Sequence, residues 1–341
     1  MLASKLQLIL YRLWQALPVV FGVIVITFIL TRALPGDPAV YFAGPAADEK
    51  SIAEIRKALG LDQPMLVQFG LYLESLVKGD LGQSLSTGQP VAADLASRLP
   101  ASLELTFTAL ILSTIIALPI GILAALNPGR WIDHLCRFLV TAGVSLPTFF
   151  TGLALLFFFY YLLGWAPSPI GRLDFAYIPP PHVTGFFVLD ALIAGDLETA
   201  QAAGAQLLLP AITLALFTLA PIARMTRAAM LQALSSEYIR TARAAGLSQR
   251  KVITVYALQN ALLPVITTLG MVFSFTLGAN VLVEKVFAWP GIGSYAVEAL
   301  VVSDYAAVQG FVLSMALLFV LLNLVVDIVY TLVDPRIRLD S

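Results

Sequence analysis

The sequence predicts an all-α polytopic membrane protein with six transmembrane helices, and three observations carry that reading. Residues are 59% hydrophobic and only 12% charged, against roughly 25% charged in soluble domains. Apolar runs close to the roughly 20 residues needed to cross a bilayer recur along the whole chain. The basic residues are also unevenly shared. With six spans, the segments on one side hold 12 Lys/Arg against four acids, and those on the other side eight against sixteen. The positive-inside rule makes the first side cytoplasmic and puts both termini there. The net charge of −1 is uninformative beside this distribution.

The first span is expected at about 8–31, with Lys5 and Arg12 at its start. A cleaved signal peptide is the rival, but the apolar run exceeds an h-region of about 7–15 residues. No small-x-small site follows it either; the next residues are Arg32-Ala33-Leu34-Pro35-Gly36-Asp37-Pro38. Residues 35–100 then form a polar, mostly acidic insert that reads as helical. Asp48 can cap a helix that Gly60 ends, and Asp62 can cap a second one with Pro64 in its first turn and Gly79 after it. Met65, Phe69, Tyr72, Leu73 and Leu76 share one face of that second helix. The core of the remaining spans follows from 101 to 341. Spans are expected at about 101–126, 138–164, 206–230, 262–283 and 306–333. Pro119 is tolerable inside a membrane helix. Loop 127–135 is short and basic, 166–204 is a Pro-rich outer loop, and 284–304 is an outer segment with a short helix after Gly293.

Several chemistries are missing. One cysteine, Cys136, excludes an internal disulfide and Cys-rich metal sites, and His134 and His182 stand in no ligand-spaced cluster. No catalytic or metal-binding motif is visible, and no G-x-x-x-x-G-K-[ST] run, so any ATP is used by another chain. Asp327 is the one acid well inside a span, with Asn323 a turn before it. A lone polar pair of this kind usually bonds neighbouring helices. A proton- or ion-coupled carrier would need ionisable groups at the midplane or inverted repeats, and neither is clear. Gly270, Ser274 and Gly278 put a small face on the fifth span, which suits close helix packing or a wet passage equally.

Between the fourth and fifth spans lies the one long basic interruption, about 236–264. Arg240, Arg243, Arg250 and Lys251 face a single acid, Glu237. Tyr238, Ala242 and Ala245 fall on one helical face with Ile239 beside them, while Ala244, Ala245 and Gly246 leave room for a partner surface. Gly246 suits a left-handed helix stop, and Ser248 can cap the next helix. By pattern alone, a docking helix and an amphipathic helix lying on anionic lipid stand level.

At these residues the chain resembles a known family. Glu237, the run Thr241-Ala242-Arg243-Ala244-Ala245-Gly246-Leu247, and Asn260-Ala261-Leu262-Leu263-Pro264 resemble the EAA signature of ABC-importer permeases. Pro264 follows Gly246 by 18 residues, a longer spacing than the general signature and the form of the dipeptide/oligopeptide/nickel branch. Further runs match that branch in order: 34–38, 59–64, 79–84, 98–105, 143–149, 286–293 and 334–338, with the loosest match at 172–204.

The resemblance implies the type I ABC-importer permease fold, with a cytoplasmic coupling helix at about 236–247 and a periplasmic helical insert between spans 1 and 2. It implies an inner-membrane subunit that is not itself an enzyme. Its partners would be a second homologous permease subunit, two cytoplasmic ATPase subunits holding ATP and Mg, and a periplasmic or lipid-anchored binding protein. The chain itself would bind no cofactor or nucleic acid and would sit in membrane lipid. ATPase coupling would fall to Glu237, Tyr238, Thr241, Ala242, Arg243, Ala244, Ala245 and Gly246. Ser145, Thr148, Ser274 and Asn280 are pore-lining candidates. Asp80, Trp289 and Asp304 are candidates for contact with the binding protein. The solute would be a small peptide, nickel chelate, opine or glutathione.

Overall fold

The computed structural model describes residues 2–33, 39–40, 47–58 and 60–333. The motifs at 34–38 and 334–338 and the side chain of Asp327 lie outside what is described. The helices are α1 (Leu2–Ala33), α2 (Glu49–Ala58), α3 (Met65–Val77), α4 (Val91–Leu126), α5 (Trp131–Val144) and α6 (Thr148–Leu155). They continue with α7 (Phe187–Ile193), α8 (Leu197–Leu234), α9 (Glu237–Ala244), α10 (Gln249–Val286), α11 (Ile292–Val301) and α12 (Tyr305–Val333). Two compact units result, Met1–Pro100 with Gly291–Leu321 and Ala101–Pro290 with Leu322–Ser341. The sequence sets 35–100 apart as a segment of its own, whereas here it belongs to one unit with the first helix and Gly291–Leu321.

In the first unit α3 lays its aromatic residues on α1. Phe28 is buried, with Phe69 edge-on at 5.1 Å and Tyr72 stacked at 5.7 Å between ring centroids. Met65 stays exposed. Asp48 caps α2 by accepting the Ser51 N–H at 3.0 Å, and this bonding holds its carboxyl below the usual range. Asp62 does not cap α3. Pro64 occupies the N-cap position with no side-chain bond, because a proline with its φ already near the helical value is itself a starting point. A second cluster joins the first turns of α4 (Val91, Leu95) to α11 (Ile292, Tyr295, Ala299) and to Ala307 of α12.

The second unit is built on α4, α8 and α10. Three apolar clusters follow one another along them. The first holds Leu105, Leu214 and Val283, the second Ala117, Ile222 and Val265, and the third Ala125, Met230 and Ala257. The order of the residues shows α4 and α8 running together and α10 against them. Buried threonines bond their hydroxyls to the preceding turn, as in Thr226 to the Ile222 carbonyl at 2.8 Å and Thr276 to Val272 at 2.6 Å. That closes polar groups internally, as a membrane interior demands. Gly121 sets the α4–α8 approach: a Cβ there would lie 2.6 Å from the Thr226 Cβ and 2.8 Å from the Ala223 carbonyl oxygen. Gly121→Ala is therefore expected to destabilise by about 1–3 kcal/mol through overpacking. Gly204→Ala on α8, with nothing within 4 Å, should be neutral or slightly stabilising. Thermal unfolding of both variants in detergent checks the contrast.

Four helices are long and apolar enough to cross a membrane among the described residues: α4, α8, α10 and α12, the last through Val326. In α1 the apolar stretch found is Trp14–Ile29. The expected continuous third span at 138–164 is not present as such. α5 ends at Val144, α6 begins at Thr148, and the two axes differ by 94°. The cause is Pro147, which pushes the residue before it out of the helical region and becomes the N-cap of α6. The chain then runs through a π-helical turn at Leu156–Leu162.

The expected outer loop at 166–204 is ordered around buried charges. Arg172 donates to the Glu104 carboxylate at 2.5 Å and to the Gly185 carbonyl at 2.6 Å, with its guanidinium 3.7 Å above the Phe187 ring centroid. Glu104 also accepts the Val188 N–H at 3.0 Å. Asp190 accepts from the Thr184 N–H and hydroxyl and from the Gly185 N–H, at 2.8, 2.6 and 2.8 Å. Burial pushes the Asp190 carboxyl up, but these bonds outweigh it and leave it below the ordinary value. A depressed folded pKa contributes stability above the unfolded pKa of about 4 and loses it as pH falls through the folded value. Acidification below about pH 4 should thus loosen 183–190, seen as faster amide exchange there, and Asp190→Asn should flatten that dependence.

Candidate functional site

The basic interruption folds as a short helix packed against the ends of two long ones. α9 follows α8 after a two-residue turn, and only its inner side is apolar. Ile239 (0% exposed) and Ala242 (6%) point inward against Met230 and Ala233 of α8, Val252, Ala257 and Ala261 of α10, and Ala125 of α4. Three-residue spacing is what places 239 and 242 on the same side. The opposite side is open. Glu237, Tyr238, Arg240, Thr241, Arg243, Ala244, Ala245 and Gly246 are all exposed. Arg240 pairs with Glu237 at 2.8 Å, and such an exposed pair contributes under about 1 kcal/mol.

The ends of α9 are fixed by backbone chemistry. Gly246 takes φ +76°, and its N–H bonds the Arg243 carbonyl at 3.0 Å, while the Leu247 N–H bonds that of Ala242 at 3.3 Å. That is a Schellman-type stop requiring a left-handed residue. Open space surrounds the Gly246 Cα, so a side chain there meets no atom within 4 Å; only the backbone conformation resists it. Ser248 accepts the Lys251 N–H at 3.5 Å, and Val252–Ala257 form a π-helical turn before α10 continues past Pro264.

The structure therefore brings seven of the eight predicted coupling residues to one exposed face and takes Ala242 from it. Ala242 anchors the helix from below. Sequence periodicity over eight residues could not separate these roles, since Ile239 and Ala242 share a face that also borders Tyr238.

One feature of this region went unread in the sequence. Asp133, 1% exposed, binds Arg227 of α8 with both carboxylate oxygens, each at 2.7 Å, and accepts the Gly129 N–H at 3.0 Å. Arg137 approaches it to 3.5 Å. The clamp ties the start of α5 to α8 one turn before Met230. Its signal was available: Asp133 is the single acid in a basic loop.

The pore candidates do not converge. Ser145, exposed at the α5–α6 break, bonds the Thr141 carbonyl at 2.7 Å, and Thr148 opens α6 half-buried. Ser274 is half-buried and bonds Gly270 at 3.2 Å. Asn280 is 1% exposed and donates to the Ser102 carbonyl and the Thr106 hydroxyl, both at 3.3 Å. It ties α10 to α4. The small face of α10 divides as well: a Cβ on Gly270 would lie 2.4 Å from Val326 of α12, whereas Gly278 has nothing within 4 Å.

Of the docking candidates only Asp80 is at the surface, where it accepts the Gly82 N–H at 2.8 Å. Trp289 is 1% exposed and donates its indole N–H to the Ala101 carbonyl at 2.9 Å. Asp304 is fully buried; it accepts from the Ser84 hydroxyl at 2.7 Å and the Leu85 N–H at 2.6 Å, and it caps α12 through the Ala307 N–H. Both organise backbone and present nothing to a docked protein.

Comparison with known proteins adds a family. Residues 117–339 match the profile described as binding-protein-dependent transport system inner membrane component, and residues 5–106 match its N-terminal counterpart. The chain is 48% identical to the probable D,D-dipeptide transport system permease protein DdpB of Escherichia coli (strain K12), over 96% of each chain. It is 42% identical to the di/tripeptide transport system permease protein DppB of Pseudomonas aeruginosa (strain UCBPP-PA14), over 98% of this chain and 99% of that one. Among solved structures, a chain of the inward-facing MetNI methionine ABC transporter superposes with a TM-score of 0.53 at 18% identity, covering 71% of this chain and 96% of that one. That last likeness speaks to the fold alone.

Proposed function

Because this chain belongs to the family of binding-protein-dependent transport system inner membrane components, we propose that it is the permease subunit of an ATP-driven importer of small peptides. Relatives that are 40–48% identical over nearly the full length carry di- and tripeptide names, which favours peptides over nickel chelates, opines or glutathione. The partners are a second permease subunit, two cytoplasmic ATPase subunits that hold ATP and Mg, and a binding protein that delivers the peptide from the periplasm. Both termini lie in the cytoplasm.

The observation that carries the mechanism is the two-sided build of α9. Its outer face is exposed and basic, with small residues at the C-terminal end, while Ile239 and Ala242 lock it to α8 and α10. Force applied by an ATPase at Tyr238, Arg243 or Gly246 reaches both long helices through one rigid contact. ATP binding then stabilises one access state over the other, which is all a driven equilibrium requires.

Arg243→Glu and Gly246→Val test this in the reconstituted complex. Loss of a charged contact contributing about 1.5–3 kcal/mol should lower ATP-coupled uptake by roughly 10- to 100-fold. The chain without ATPase subunits should transport nothing in liposomes. Normal uptake and normal ATPase stimulation in both variants would sink the assignment.

A further inference from the structure

Three helices of the second unit border an open hollow of about 310 Å³ whose chemistry peptide import does not use. Its walls are apolar (Ile120 of α4, Val140 of α5, Ala223 of α8), and its polar groups are Arg137, Arg224, Arg227 and Thr141. Asp133 holds Arg227 and Arg137 from behind. Arg224 is exposed and has no ion-pair or hydrogen-bond partner among the described residues. Three guanidinium groups thus answer to one carboxylate, and the mouth of the cavity is left strongly positive.

A second hollow of about 590 Å³ adjoins it, sharing Arg224. Beyond that arginine its lining is mainly apolar, running between α8 and α10 past Phe217, Pro221, Met225, Met271 and Phe275, with Thr218 and Thr268 the polar residues and their hydroxyls bonded to the preceding turn of their own helices. Both volumes are in the range of roughly 300–1,000 Å³ typical of small-molecule sites. A cationic head and a long apolar channel meeting at one arginine complement an amphiphile with an anionic head.

We propose that this pair of hollows binds an anionic phospholipid, its phosphate held by Arg224 with the outer edges of Arg227 and Arg137, and an acyl chain lying in the channel beside Phe217 and Met271. The charge bias puts these arginines on the cytoplasmic side. Basic pockets between membrane helices on that side are where anionic headgroups collect. The Asp133 clamp acquires a second use here, since it orients two of the three guanidinium groups.

The test uses the full chain in detergent and native mass spectrometry, with phosphatidylglycerol, phosphatidylcholine and soluble glycerol phosphate as probes. Phosphatidylglycerol should be retained about tenfold better than phosphatidylcholine, the low end of what a charge-assisted hydrogen bond contributes. Arg224→Gln should erase that preference and Arg224→Lys keep most of it; the residue is exposed and has no partner among the described residues, so both variants should fold. Ala228→Phe, which fills the channel without touching a charge, should remove the advantage of long acyl chains over short ones. Equal retention of the two lipids overturns the proposal, as does an unchanged preference in Arg224→Gln. Glycerol phosphate competing as well as the lipid would assign the site to a soluble anion instead. If Ala228→Phe prevents pairing with the second permease subunit yet leaves lipid retention intact, the channel is a subunit interface and the proposal fails. Lipid retention is read without transport, so these outcomes do not depend on peptide uptake.

Discussion

Substituting Ile239 by aspartate is expected to abolish ATP-coupled uptake while the four long spanning helices stay folded. Ile239 has no exposed surface and sits between α8 and α10. A carboxylate there would have no partner, and burying one unpaired costs several kcal/mol. The cheaper outcome is for α9 to leave its bed, because it is only eight residues long and too short to be stable alone. Trypsin should then cut at Arg240 and Arg243 at least about tenfold faster, following the population of the open form. Ile239→Val is the companion variant: it should cost only about 0.5–1.5 kcal/mol and keep uptake. Uptake within twofold of wild type in the aspartate variant would show that α9 carries no force.

Removing the Asp133 carboxylate should produce the largest loss of stability. Asp133→Ala leaves Arg227 without its bidentate partner, and breaking a buried pair typically costs about 3–5 kcal/mol. Arg227 retains 26% of its side-chain exposure, so about 3 kcal/mol is the better expectation. Replacing both partners together, as Asp133→Leu with Arg227→Met, should recover much of the loss, since an apolar pair of similar volume is often no less stable. Thermal unfolding of Asp133→Leu, Arg227→Met and the double variant gives the coupling energy directly. A coupling near zero would mean that the bond is made but holds nothing.

Much of this architecture was legible in the residues. Apolar runs announced the long helices, and the structure extends several of them outward, α4 back to Val91 and α8 to Leu197. Gly246 and Ser248 read correctly as stop and start because their roles are local backbone chemistry. What the sequence does not reveal has a common physical source. Trp289 and Asp304 enter as docking candidates only through the resemblance, and both are buried. Asp304 in fact serves the Leu85 and Ser86 N–H groups some 220 residues away in sequence, which no local pattern reveals. Asn280 misled in the same way, since a polar group on a membrane helix can face a passage or a neighbouring helix. Pro147 was visible throughout, but proline at 119 is accommodated within α4, so composition alone did not distinguish a tolerated proline from one that turns the chain.

The π-helical turn at Val252–Ala257 has an angular consequence. Val252 and Ala257 both bury completely in the bed beneath α9, yet they stand five residues apart. In a straight α-helix that separation turns side chains about 140° away from each other. The wider turn, bonded over five residues, brings them into phase. Without it, the bed would lose one of its three α10 contacts, or everything beyond the turn would be rotated about its axis. The membrane portion of α10 and the seat of α9 thus keep separate rotational settings, reconciled by a single wide turn.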